Sequence, residues 1–123
     1  MGVGIDLVEE ERVARALERW GDRLVAKLMG AEEAARLPAA TPRRAHALAL
    51  AIAAKEAASK ALGTGWSRGV WWRDVVVLLG PPLEVRLEGG ALARARRLGS
   101  AGRTRAALEV RGDLVIGRVR LLS

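Results

Sequence analysis

The stretch that decides how this chain folds is Lys55-Glu56-Ala57-Ala58-Ser59-Lys60-Ala61-Leu62-Gly63-Thr64-Gly65. It reads as the last turns of a buried helix running into a glycine-flanked turn. Upstream, Ala45-His46-Ala47-Leu48-Ala49-Leu50-Ala51-Ile52-Ala53-Ala54 is apolar nearly all round, the pattern of a helix enclosed by other elements. Glu56 and Lys60 are four residues apart, so they share a helix face with Ile52 and Leu48. On a surface helix such a pair contributes only a few tenths of a kcal/mol, roughly, and has no further meaning. On the continuation of an enclosed helix, ionisable groups are costly unless they are paired, bind a metal or reach a cleft. Gly63 suits the left-handed residue that closes a helix, and Thr64 and Gly65 leave a small loop that a phosphate or adenine can approach closely.

Working outward, Thr41-Pro42 reads as an N-cap and first helical proline, so the spacing predicts one long helix from there through Leu62. At the chain start, Val3 to Val8 is a short apolar strand interrupted by Asp6, which falls on the face opposite Ile5 and Leu7. An acid inside such a run is disfavoured, which makes Asp6 a candidate functional group beside the plainer reading of a strand acid or helix cap. Glu9 to Trp20 follows as an amphipathic helix with Gly21 past its end and a further turn or two through Leu28. Arg12, Arg15, Arg19 and Arg23 recur at spacings of three and four and are expected along one edge of that helix, either as a solvated face balanced by Glu11 and Glu18 or as a docking stripe.

A short helix from Ala31 to Leu37 precedes the long one. From Trp71 the pattern turns β-rich: a buried strand over Asp74 to Leu79, a Pro81-Pro82 break, and an alternating strand over Leu83 to Leu87. An arginine-bearing helix over Ala91 to Leu98 follows, then a hairpin of Arg103 to Val110 with Leu114 to Leu122 about Arg111-Gly112-Asp113. The fold class expected is α+β, an antiparallel sheet with a long buried central helix, in a single domain spanning residues 1–123.

Composition narrows the chemistry. With no Cys there is no disulfide frame and no thiolate, and His46 alone cannot build a multi-His zinc site. His46 lies in the apolar run and is expected as a packed helix residue. No apolar run is long enough to span a bilayer, and the opening MGVGIDLVEEE lacks a signal-peptide pattern, so the expectation is a soluble, cytoplasmic protein without a membrane partner. A net charge of +7 asks for an anionic partner. With four Trp and no Phe or Tyr, stacking platforms for single-stranded nucleic acid are scarce, so nucleic acid is the weakest candidate. Asp6 and Glu56 are candidates for a two-carboxylate magnesium site, and Lys60, one turn on, for neutralising charge on a transferring phosphoryl group.

These residues resemble one family, the holo-acyl-carrier-protein synthases, which are small 4'-phosphopantetheinyl transferases. Gly4-Ile5-Asp6-Leu7-Val8-Glu9 is similar to that family's opening motif. Pro42-Arg43-Arg44, Ala53-Ala54-Lys55-Glu56-Ala57 and Lys60-Ala61-Leu62-Gly63-Thr64-Gly65 continue the likeness over the first two-thirds of the chain. The resemblance implies that Asp6 and Glu56 bind Mg2+, that Lys60 contacts the diphosphate of coenzyme A as substrate, and that Gly63, Thr64 and Gly65 line the coenzyme site. It also implies a homotrimer with sites between subunits, and an acyl carrier protein docked on Arg12, Arg15, Arg19 and Arg23. The chain departs from the family at three places. Ala51-Ile52 stands where an Arg-Phe is usual, Gly80-Pro81-Pro82 replaces a Gly-Lys-Pro turn, and Arg105 to Val110 lacks the two histidines and the serine of the final hairpin. Arg103, Arg105 and Arg111 are candidates to supply phosphate contacts instead. The alternative to an active transferase is a degenerate, non-catalytic member that still binds an acidic carrier protein.

Overall fold

The computed structural model describes residues 2–123. Strand β1 (Val3–Glu9) leads into helices α1 (Glu10–Trp20), α2 (Asp22–Leu28) and α3 (Ala31–Ala35), then the long α4 (Thr41–Ala61). Beyond a 3-10 turn at Trp72–Asp74 come β2 (Val75–Leu78), β3 (Glu84–Leu87), α5 (Gly89–Arg97), β4 (Thr104–Arg111) and β5 (Leu114–Leu121). The class is the α+β one expected, but the strands form two antiparallel sheets rather than one. β1-β5-β4 makes the larger sheet and β2-β3 a separate pair. The link is local: Thr104 Oγ1 donates to the Val85 carbonyl at 2.6 Å, so the two sheets meet edge to edge without a shared ladder.

α4 is the axis of the molecule. Its core-facing side is largely alanine, and Ala49, Ala53 and Ala57 have no exposed surface. Small side chains let a sheet come close, and two glycines complete the fit. A Cβ on Gly4 would stand 1.8 Å from the Ala57 carbonyl oxygen, and one on Gly117 would stand 2.5 Å from that of Ala53. Only glycine permits that approach, and Asp6, paired with Gly117 across the ladder, is thereby carried up against the helix. Residues alternate along a strand, so Val3, Ile5 and Leu7 face away from α4 and are 61%, 54% and 61% exposed.

Burial of α4 also encloses one charge. Lys55 has no exposed surface; its Nζ donates to Glu33 at 2.9–3.0 Å, to the Trp72 carbonyl at 2.9 Å and to the Val75 carbonyl. Glu33 in turn accepts from the Val77 N–H at 2.9 Å and the Gly30 N–H at 3.4 Å. This knot joins α3, α4 and the entry to β2. Burial pushes the Lys55 ammonium down from the usual lysine range, opposed by the Glu33 carboxylate.

Several boundaries differ from the sequence expectation. The last strand pair runs from Thr104 and ends at Leu121, joined by Gly112-Asp113. α3 ends at Ala35, two residues early, and the strand expected from Asp74 starts at Val75 because Asp74 closes the 3-10 turn and accepts from the Gly90 N–H at 3.2 Å. α5 begins at Gly89 rather than Ala91. His46 is not packed inside: its Nδ1 meets Glu10 Oε1 at 2.5 Å, tying the start of α1 to α4. No helix among the described residues is long and apolar enough to cross a membrane.

Candidate active site

The carboxylates of β1 and α4 meet at one cleft of about 390 Å³, lined by Asp6, Leu7, Glu9, Arg12, Ile52 and Glu56 among others. The sequence placed Glu56 and Lys60 on one helix face; the sheet register and the Gly4 contact bring Asp6 to that face. Lys60 Nζ donates to Asp6 Oδ1 at 2.5 Å and sits 3.4 Å from the Ile5 carbonyl. Its side chain stays half exposed, and the bond to Asp6 raises its pKa from the usual lysine value.

Glu56 has no such partner. It forms no ion pair among the described residues, and its pKa is raised, first by burial and further by the charge of Asp6. The Trp66 indole N–H lies beside it and opposes that shift, although the group is buried without a fully formed hydrogen bond. Trp66 is itself held by stacking on Trp72, with ring centroids 4.0 Å apart. Trp66 is a site neighbour that sequence reasoning passed over, since nothing in its spacing ties it to Glu56.

The donor set suits a hard divalent cation. Two carboxylates line one cleft, one of them lacks a cationic partner, and their mutual repulsion is already visible in Glu56. Among the described residues no group of three or more His, Cys, Asp or Glu gathers to cage a metal, so water and substrate oxygens would fill the remaining positions. Next to Lys60, Gly63 turns at φ +75° and the Gly65 N–H returns to the Ser59 carbonyl at 3.2 Å, so Thr64 carries the one side chain of the Gly63–Gly65 loop, and its Oγ1 donates to the Gly65 carbonyl at 2.9 Å.

The arginine stripe divides in two. Gly21 (φ +56°) ends α1, so Arg12, Arg15 and Arg19 lie on α1 but Arg23 begins on α2, and the four do not share one helix edge as expected. Trp20 rejoins them: the Arg19 and Arg23 guanidinium carbons lie 5.0 and 5.9 Å from its ring centroid. Arg12 reaches the cleft that holds Asp6 and Glu56. A larger cleft, about 490 Å³, opens elsewhere between β3 and β4 and is lined by Arg86, Arg103 and Arg105; it shares no residue with the first. Arg111 is not part of it and pairs with Glu109 at the far end of the hairpin.

Comparison with known proteins gives the family of this chain. Residues 2–111 match the 4'-phosphopantetheinyl transferase superfamily. A holo-[acyl-carrier-protein] synthase of Nitrobacter hamburgensis is 44% identical over 124 residues, covering 93% of this chain and 82% of the relative. One from Bradyrhizobium diazoefficiens is 44% identical over 103 residues, covering 80% and 74%. Among solved structures, the holo-[acyl-carrier-protein] synthase of Neisseria meningitidis superposes with a TM-score of 0.83 at 27% identity, covering 99% of this chain and 98% of that one. The Helicobacter pylori synthase, solved in complex with coenzyme A, shares the fold with a TM-score of 0.78 at 18% identity, covering 98% and 99%. The chain belongs to the 4'-phosphopantetheinyl transferase superfamily.

Proposed function

We propose that this protein is a holo-[acyl-carrier-protein] synthase, which moves the 4'-phosphopantetheine arm of coenzyme A to a serine hydroxyl of an apo acyl carrier protein. The observation that carries the reading is the meeting of Asp6 and Glu56 at one cleft, with Lys60 bonded to Asp6 beside it, in a chain of this family. The serine oxygen bonds to phosphorus, the bond to the departing 3',5'-ADP breaks, and the serine proton is released. Asp6 and Glu56 would hold Mg2+, which when bound supplies positive charge at the phosphate oxygens. Lys60, anchored on Asp6, keeps its ammonium charged beside that carboxylate, where it offsets charge that grows as the phosphoryl group transfers. Gly63 and Gly65 let the diphosphate come close to the backbone of the Gly63–Gly65 loop, where the Thr64 hydroxyl is turned to the Gly65 carbonyl.

The carrier protein docks on Arg12, Arg15, Arg19 and Arg23, whose charge complements an acidic helix and whose Arg12 borders the carboxylates. Arg103 and Arg105 supply phosphate contacts from the second cleft. In one subunit the two clefts are separate, and the exposed Val3, Ile5 and Leu7 form an apolar sheet face that further copies would cover. Both features support a homotrimer whose sites form between subunits, working in the cytoplasm where its carrier is made. Intact mass spectrometry of an apo acyl carrier protein, incubated with the protein, coenzyme A and Mg2+, tests the reading. A magnesium-dependent gain of one phosphopantetheine arm is expected; no gain with any of several carriers would leave the non-catalytic binding module.

A further inference from the structure

Helix α5 delivers a guanidinium to the loop at the end of α4. Arg94 Nε donates to the Leu62 carbonyl at 3.0 Å, from 32 residues away in sequence. That carbonyl is one of those a helix end leaves without a helical donor, so the bond braces the exit of α4. The same side chain places Nη2 3.7 Å from where a Cβ on Gly63 would stand. Gly63 has no Cβ, and the guanidinium edge therefore faces the bare start of the Gly63–Gly65 loop.

The loop is thus flanked by two cations in unlike states. Lys60 is already bound to Asp6. Arg94, half-buried, forms no ion pair among the described residues, and its one hydrogen bond uses Nε and leaves both Nη groups to donate. An arginine fixed through Nε by a neutral carbonyl, with its forked edge free beside a glycine loop, is arranged to take a phosphate oxygen.

We propose that Arg94 is a diphosphate-binding residue: Nε holds the Leu62 carbonyl while the Nη edge donates to a phosphate oxygen of coenzyme A seated on the Gly63–Gly65 loop. This rests on the transferase reading above and adds a residue that its motifs do not contain. Arg94 binds and positions; it supplies no proton.

The test uses the full chain with Arg94→Gln and Arg94→Lys, both checked by thermal melting. Glutamine retains an N–H donor for Leu62 without charge, and lysine retains charge without the fork. Calorimetric titration with coenzyme A in Mg2+ should show affinity falling about tenfold to a hundredfold for Arg94→Gln and less for Arg94→Lys, the range for a charge-assisted hydrogen bond. KM for coenzyme A should follow while KM for the carrier protein stays put, and inorganic diphosphate should compete less well against Arg94→Gln. Unchanged coenzyme A and diphosphate affinity in Arg94→Gln, or weaker binding by Arg94→Lys than by Arg94→Gln, would overturn the proposal and leave a loop brace. A wild-type chain that binds no coenzyme A sinks the transferase reading and this assignment together, whereas wild-type binding with an unaltered glutamine variant sinks the assignment alone.

Discussion

Helix α4 carries two acid–lysine constellations within six residues, and they are built in opposite ways. At Lys55 every donor and acceptor is used: one carboxylate, two backbone carbonyls, and on the Glu33 side two backbone N–H groups. One turn on, Lys60 is half exposed, Asp6 is held through one oxygen, and Glu56 forms no ion pair among the described residues. A saturated buried pair has nothing left to offer a ligand and serves the fold. An unsaturated cluster at a cleft keeps its electrostatics open for something that arrives. Charge alone does not separate structural from functional groups here; the remaining valence does.

The largest effect expected from that contrast is on chemistry. Asp6→Asn and Glu56→Gln each remove a carboxylate from the open cluster, and transfer should fall on the order of a thousandfold or more, since charge stabilisation of this kind is worth several kcal/mol. Melting curves should remain cooperative. Wild-type turnover in either variant, measured by the mass assay, would break the division between the two clusters.

Next in size is the knot. Lys55→Met or Glu33→Gln strands a buried partner and should cost about 3–5 kcal/mol of stability. The double variant Lys55→Met/Glu33→Met should recover much of that loss, because no charge is left unpaired. Denaturant titration gives the numbers, and activity per folded molecule should stay near wild type. If the single variants were stable but inactive, Lys55 would belong to the site after all.

This contrast marks what the sequence could and could not reveal. Helical spacing put Glu56 and Lys60 on one face, and the glycine after them located the loop. The all-round apolar run correctly announced α4 as the central buried element. Asp6 stood out as an acid in an apolar strand, but its arrival beside Lys60 depends on register with Gly117 and on the Gly4 contact, which are tertiary facts. Lys55 and Glu33 are 22 residues apart, and Arg94 lies 32 from Leu62, so no local period links either pair. His46 misled because an alanine-rich helix looks buried on all sides until a partner such as Glu10 is known. Gly21 likewise looked like a helix end, yet the basic spacing ran through it, and only the φ of +56° separates Arg23 from the others.

The surface arginines lie between the two extremes, since an exposed pair can exchange its partner. Arg12 has only a loose contact with Glu9 at 3.9 Å, whereas Arg15 is held by Glu11 at 2.7 Å, a bond that raises its pKa. Arg12→Ala should therefore raise KM for the carrier protein more than Arg15→Ala, by roughly tenfold against a few-fold, with kcat little changed. Added salt should shrink both effects, as docking through exposed charges is screened. Equal effects at every salt concentration would show that the Glu11 pairing does not restrain Arg15.

The smallest effect is also the most telling about why the open cluster exists. Burial holds the folded Glu56 carboxyl above its unfolded pKa, so the folded state keeps that proton to higher pH than the unfolded state does. Stability thus falls as pH rises from the ordinary carboxylate range through the raised value, and the penalty is fully present once the pH exceeds that raised value. In metal-free protein, Glu56→Gln should raise the melting temperature slightly at neutral pH and leave it unchanged below about pH 4, where both forms are uncharged. Adding Mg2+ should then stabilise the wild type but not the variant, because a ligand that binds the folded state draws on the very charge that burial disfavours. The Lys55 variants move the other way, losing stability with or without the metal. A cluster that is destabilising when empty and relieved when filled has been kept for what it binds, and an unaltered melting temperature in Glu56→Gln would remove that argument.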